Sequence, residues 1–286
     1  MAFGLKHLFG LKGLASEDIT AILDTAVTFR EVLDRPIRIV PTLKGVAVLN
    51  LFYEDSTRTR ISFELAEKRL NAEVVTFAKS ASSVSKGESF RDTVRNIEAM
   101  KIDVIVCRHS SPGAPQFLAK HTACTVINAG DGSHEHPTQA LLDMLTIRER
   151  FGKLAGLKVL IVGDILHSRV ARSDIWGMKT MGAEVAVCGP ATLMPLDMSA
   201  LDVPVHYDRL GAPYGYGSKG RNQTFYCRKK LKVTLEACLK ELFELWGRDP
   251  PSIILTAGVA LAADLLFASQ VTQAACFQSY TLACIF

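Results

Sequence analysis

Apolar and polar positions alternate in two rhythms along the first two-thirds of the chain. Residues 16–33 begin with Ser16, Glu17 and Asp18 and then place apolar side chains at helical spacing, which predicts a helix with Ser16 as its cap. Residues 45–54 are a short apolar run with β-branched members, which predicts a buried strand. Residues 57–72 return to helical spacing, with Ile61, Leu65, Phe63, Ala66 and Leu70 supplying an apolar face. The alternation continues with strands at 73–77, 103–109 and 124–131 and helices at 90–101, 117–122 and 136–152, the last with Pro137 in its permitted first turn. A second series follows, with a strand at 157–164, a helix at 168–183 and a strand at 184–190. Strands alternating with helices predict parallel sheets covered by helices on both faces. The expected fold is therefore α/β, with two doubly wound parallel-sheet domains spanning residues 1–150 and 151–286 and joined near 135–152.

The rhythm degrades after about residue 206. Residues 209–230 are rich in Gly and basic side chains, residues 230–247 have the spacing of one more helix, and residues 269–286 show neither period nor caps. Residues 253–268 are the most apolar stretch; they are too short for a membrane span and carry Asp264, so they read as a buried element. Residues 78–89 are small and polar without period, which predicts a mobile loop.

Composition narrows the picture. The 286 residues are 48% apolar and 22% charged, enough for a core and against wholesale disorder. A net charge of +4 spread along the chain does not call for nucleic acid and suits small anionic substrates. Seven cysteines, an odd number with no Cys-x-x-Cys pair, argue against a disulfide framework or structural zinc and for reduced thiols packed as small apolar groups. The first 18 residues lack a continuous apolar core and a small-residue cleavage site, so they do not read as a signal peptide.

Open α/β sheets bind ligands beyond the C-terminal ends of their strands, so polar residues at strand-to-helix turns are the candidates. Ser56, Thr57, Arg58 and Thr59 follow one strand and start a helix, where hydroxyls, a guanidinium and free N–H groups can hold a phosphate. The alternative there is a hydroxyl cap followed by solvated arginines. Arg108 and His109 end another strand. His136 and Gln139 share a helix start, able to polarise a carbonyl oxygen and bind an amide, or else to act as a cap with a satisfied histidine. Gly163, Asp164, His167, Ser168 and Arg169 repeat the design in the second series, where Arg169 suits a carboxylate. The glycines do not match a dinucleotide fingerprint. Lys86 lies in the polar loop and can close over an anion or stay solvated.

Together, Ser-Thr-Arg-Thr-Arg-x-Ser-Phe-Glu (56–64), Arg-His (108–109) and His-Pro-x-Gln (136–139) resemble the aspartate and ornithine carbamoyltransferases. Ser-x-x-Lys-Gly-Glu (83–88), Asn-Ala-Gly-Asp-Gly ahead of the His-Pro-Thr-Gln run (128–143), and Gly-Asp-x-x-His-Ser-Arg-Val-Ala-Arg-Ser (163–173) resemble the aspartate branch. The resemblance covers roughly residues 7–206. It implies condensation of carbamoyl phosphate with L-aspartate in pyrimidine synthesis. It also implies that Ser56, Thr57, Arg58 and Thr59 hold the phosphate, and that Arg108 and His136 contact the carbonyl oxygen or phosphate. Gln139 would bind the carbamoyl amide, and Lys86 and Arg169 the aspartate carboxylates. Arg58, Thr59, Arg108, His136 and Gln139 would form the catalytic set. The resemblance further implies no metal or organic cofactor, a cytoplasmic homotrimer in which Ser83 and Lys86 reach a neighbour's site, and regulatory or dihydroorotase-type partners. No nucleic acid or membrane contact is expected.

The chain departs from that pattern beyond about residue 206. An apolar strand ending in Arg-x-Gln and a second His-Pro loop are expected there; Arg221, Asn222 and Gln223 match only by letter, with no strand before them. A frameshifted reading or a diverged tail accounts for the break. Two alternatives to the aspartate reaction stand: transfer to another amine such as ornithine, and a non-catalytic anion-binding subunit.

Overall fold

The computed structural model describes residues 5–33, 35–78, 90–207 and 253–257. Two four-stranded sheets, all parallel, organise them. The first is built from β1 (Ala47–Phe52), β2 (Glu73–Ala78), β3 (Val104–His109) and β4 (Thr125–Asp131) in the order β2-β1-β3-β4. The second contains β5 (Lys158–Gly163), β6 (Glu184–Gly189), β7 (Val205–Tyr207) and β8 (Ile253–Ala257) in the order β7-β6-β5-β8. The helices are α1 (Ser16–Leu33), α2 (Thr57–Arg69), α3 (Phe90–Ala99), α4 (Ala114–His121), α5 (Pro137–Phe151) and α6 (Arg169–Thr180). The expected α/β class and the expected order of elements through residue 190 are thus observed.

Parallel strands need helical crossovers, and covering both faces explains why β1, β3 and β4 are buried along almost their whole length. One core joins α1, α5 and α6 to the second sheet through Leu23, Leu141, Met144, Ile161, Ile175 and Val187. Two smaller cores flank the first sheet, around Leu51, Ile105 and Leu118 and around Val48, Phe63 and Ala66. A polar pair is also enclosed there: Asn50 Nδ2 donates to Glu67 Oε2 at 2.7 Å, and both residues are fully buried. Burial outweighs that hydrogen bond and pushes the Glu67 carboxyl up to about 7.

Several expectations need correction. Ile61 and Leu65 do not join the buried face of α2; they are 51% and 38% exposed, and of the five apolar residues only Phe63, Ala66 and Leu70 are buried. Ser16 is the first residue of α1 rather than its cap. Beyond residue 207 the described residues are 253–257, which form β8 beside β5, inside the stretch 253–268 expected to be a buried element. Cys107 and Cys124 are free, as expected, whereas Cys188 is disulfide-bonded. Arg221, Asn222 and Gln223 lie outside the described residues, as does the loop with Ser83 and Lys86. Among the described residues no helix is long and apolar enough to cross a membrane.

The segment before α1 has a role its sequence did not announce. Leu8 pairs in parallel with Ile127, its N–H donating to Val126 O at 3.0 Å while Asn128 N donates to Leu8 O at 2.9 Å. A few residues on, Leu11 packs against α6, where a Cβ at Gly177 would meet Leu11 Cδ1 at 2.7 Å. The segment therefore touches the edge of the first sheet and a helix of the second.

Candidate active site

The corner between β1 and α2 is open. Ser56 is the N-cap of α2 with extended backbone (φ −157°, ψ 98°), yet its side chain caps no N–H group. Its Oγ instead donates to Thr59 Oγ1 at 2.9 Å. The first N–H groups of a helix have no intrahelical acceptor and carry the positive end of its dipole. With Thr57 and Arg58 exposed and Thr59 buried beside them, this corner can receive an anion.

Next to it, β3 and β4 fall out of register. Cys107 faces Asn128 and His109 faces Asp131, so β4 carries an extra residue at Ala129 and Gly130. Gly130 takes φ +111°, which an L side chain rarely adopts. A Cβ there would lie 3.0 Å from the Arg169 guanidinium and 3.1 Å from Arg108 Nη1, so only glycine lets both cations cross the strand end.

Those two cations share one carboxylate. Arg108 Nη2 and Arg169 Nη2 each donate to Glu54 Oε1 at 2.5 Å, and Arg169 Nη1 donates to Glu54 Oε2 at 3.1 Å. Arg108 also donates to Ala129 O and Arg169 to Gly132 O, both at 3.1 Å. Burial pushes the Glu54 carboxyl up, but the hydrogen bonds and charges of Arg169 and Arg108 together outweigh it and hold it below the usual range. Arg169 begins α6, so this triad bridges the two sheets.

His136 is the N-cap residue of α5, close enough to Arg108 and Arg169 to feel both charges. It is 5% exposed, its N–H donates to Ser173 Oγ at 2.8 Å, and Thr138 Oγ1 lies 3.4 Å from its Nδ1. Burial, with Arg108 and Arg169 adding to it, pushes the imidazole down to about 3, so the ring is neutral at physiological pH. A neutral ring still has one N–H to donate to a carbonyl oxygen. The loop before it is pinned by buried Asp131, which accepts from Asn128 Nδ2 and Gly113 N at 2.8 Å and pairs with His134. Glu135 accepts from Leu11 N at 2.6 Å and Ser173 Oγ at 3.0 Å, tying the loop to the N-terminal segment and to α6. Gln139 follows one turn into α5.

Sequence reasoning proposed Arg108, His136 and Arg169, and the structure brings them together. It places Ser56, Thr57, Arg58, Thr59 and Gln139 at helix starts beyond the same sheet's strand ends. Lys86 lies outside the described residues. Glu54, Asp131, Glu135 and Ser173 were missed. Each lay inside a quoted motif, or directly beside one, but its partners come from other elements. Among the described residues, no cluster of three or more His, Cys, Asp or Glu could hold a metal ion.

A parallel α/β scaffold whose strand ends gather hydroxyls, guanidiniums and a neutral imidazole has the chemistry to receive an anion next to a polarised carbonyl. The sequence model described as "Aspartate/ornithine carbamoyltransferase, carbamoyl-P binding domain" matches residues 6–149, and the chain belongs to that family. It is 59% identical over 207 residues to the aspartate carbamoyltransferase catalytic subunit of Gemmatimonas aurantiaca, covering 72% of this chain and 65% of that protein. A second similar protein is the aspartate carbamoyltransferase catalytic subunit of Desulforamulus reducens. It is 59% identical over 256 residues, or 90% of this chain and 81% of that one. The fold is similar to the catalytic subunit of M. Jannaschii aspartate transcarbamoylase, with a TM-score of 0.71, 30% identity, and coverage of 98% of this chain and 96% of that one. The chain spans just under two-thirds of the length of the first curated relatives it matches, 65% and 66%.

Proposed function

We propose that this chain transfers the carbamoyl group of carbamoyl phosphate to the amine of L-aspartate, giving N-carbamoyl-L-aspartate and phosphate in pyrimidine synthesis. The observation that carries the reading is the buried, neutral His136 beside Arg108 and Arg169 at the strand ends of the first sheet. Residues 1–150 form the carbamoyl-phosphate domain and residues 151–286 the aspartate domain. Ser56, Thr57, Arg58 and Thr59 receive the phosphate at the open start of α2. The amine lone pair attacks the carbonyl carbon, and negative charge grows on the carbonyl oxygen. Arg108 and His136 are placed to stabilise that charge, and Gln139 binds the carbamoyl NH₂. The C–O bond to phosphate then breaks, and a proton from the amine leaves with the phosphate. Arg169, with Lys86, holds the aspartate carboxylates, so Arg169 turns from Glu54 toward substrate. No covalent nucleophile is needed.

The assembly we infer is a cytoplasmic homotrimer, to which regulatory or dihydroorotase-type partners bind. Ile61 and Leu65 on α2, Val75 on the edge strand β2, and Met100 are exposed apolar groups that a second copy would cover.

Purified protein is given carbamoyl phosphate with aspartate or with ornithine. Carbamoyl-aspartate is the expected product. Product from ornithine alone overturns the acceptor, and carbamoyl-phosphate binding without turnover under any acceptor points to a non-catalytic subunit.

A further inference from the structure

One turn beyond Gln139, α5 carries Asp143, whose Oδ1 accepts a hydrogen bond from Gln139 Nε2 at 3.4 Å. Across the seam, α6 carries Asp174, which is 3% exposed and whose Oδ1 has no partner among the described residues. The two helices are tied where His136 N meets Ser173 Oγ and where Met144 meets Gly177, so Asp143 and Asp174 lie in one stretch of the seam. Met144, Leu145, Ile175 and Met178 make that stretch apolar. Two acids in such surroundings are costly unless they are paired or hydrogen-bonded.

Both carboxyls are raised, Asp143 by burial against the Gln139 hydrogen bond, and Asp174 by burial and by Asp143. Like charges this close keep one proton between them. Asp174 is pushed up the further of the two, so the shared proton belongs to it, and Asp143, which faces Gln139, is the acceptor.

An ionised carboxylate only accepts hydrogen bonds. It therefore selects one of the two orientations of the Gln139 amide: Nε2 toward Asp143, Oε1 toward the opposite side. A carbamoyl group presents an NH₂, which an amide oxygen can accept and an amide nitrogen can only repel. We propose that Asp143, backed by Asp174, is a positioning residue that sets the orientation of the Gln139 amide and with it the preference for a carbamoyl ligand over one lacking the NH₂. This rests on the assignment of Gln139 to the carbamoyl amide made under Proposed function.

The test compares calorimetric binding of carbamoyl phosphate and acetyl phosphate, which has a methyl in place of the NH₂. The wild-type chain is measured beside Asp143→Leu, which keeps the branched shape, removes the acceptor and lifts the burden of a buried charge, so it should fold. Wild type is expected to prefer carbamoyl phosphate. Asp143→Leu should lose about tenfold of that preference, with acetyl phosphate affinity within twofold of wild type. Asp143→Asn, which can still offer an oxygen, should restore part of it. A Leu variant with undiminished preference, or one that loses both ligands equally, overturns the proposal alone. A wild-type chain that binds no carbamoyl phosphate overturns the function itself.

Discussion

The corners β1-to-α2 and β5-to-α6 share a plan and differ in what satisfies the helix start. At α6, Ser168 accepts from Ala171 N at 3.2 Å and Asp164 accepts from His167 N at 3.0 Å, so the corner is closed on itself. At α2, Ser56 is turned to Thr59 instead and the helix N–H groups are left without a side-chain acceptor. The same residue type at the same position thus does opposite things. The withheld cap leaves the first N–H groups of α2 to an anion, as the proposed phosphate site requires, whereas at α6 the cap is filled and the proposed ligand contact falls to the Arg169 side chain.

The strongest way to erase the difference is Ser56→Asp. A carboxylate that caps α2 occupies the place of the phosphate, so carbamoyl-phosphate affinity should fall at least about 100-fold, roughly 3 kcal/mol. Thermal stability should meanwhile rise by about 1 kcal/mol. Titration calorimetry and melting curves read both; an unchanged affinity would place the phosphate elsewhere. Arg58→Ala should weaken binding comparably while leaving the melting temperature in place.

A second comparison concerns the interior of the open helix. Glu67 holds its proton more tightly folded than unfolded, since burial raises it from 4.5 to about 7. Its contribution is therefore fully present below pH 4.5 and is lost as pH rises through about 7. Glu67→Gln removes this titration. Chemical denaturation across that window should show wild type losing up to about 3 kcal/mol relative to the variant. Parallel profiles would mean that Glu67 titrates alike in both states.

Closed and open corners should also respond differently to the same small change. Ser168→Ala deletes a working cap and should cost about 1 kcal/mol of stability, with phosphate affinity within twofold of wild type. Ser56→Ala deletes no cap and should cost under about 0.5 kcal/mol of stability, yet weaken carbamoyl phosphate several-fold. Equal stability losses at the two serines would remove the distinction.

How much of this was legible in the sequence follows from how local each feature is. Strands β1 and β3 and helix α5 announce themselves through spacing, because burial of a face repeats along the chain. The open α2 corner was legible as residue types, but not as an absent cap, since Ser56 has the letters of a cap. Glu54 escaped notice because its meaning arrives from Arg108, 54 positions on, and Arg169, 115 positions on. Spacing placed Ile61 and Leu65 on the buried side; which side of a helix is covered depends on neighbours that one chain's pattern does not name. β8 was readable only as something buried, because its partner strand lies almost a hundred residues earlier.

The segment containing Leu8 and Leu11 has a consequence for how the protein is made. These residues leave the ribosome long before Ile127 and Gly177 exist, and those are the surfaces on which they settle. Leu8 has no surface to settle on until β4 is made, and Leu11 none until α6 is, so both are made well before they can be seated. A chaperone or a protease meeting the nascent chain would find this short apolar stretch waiting.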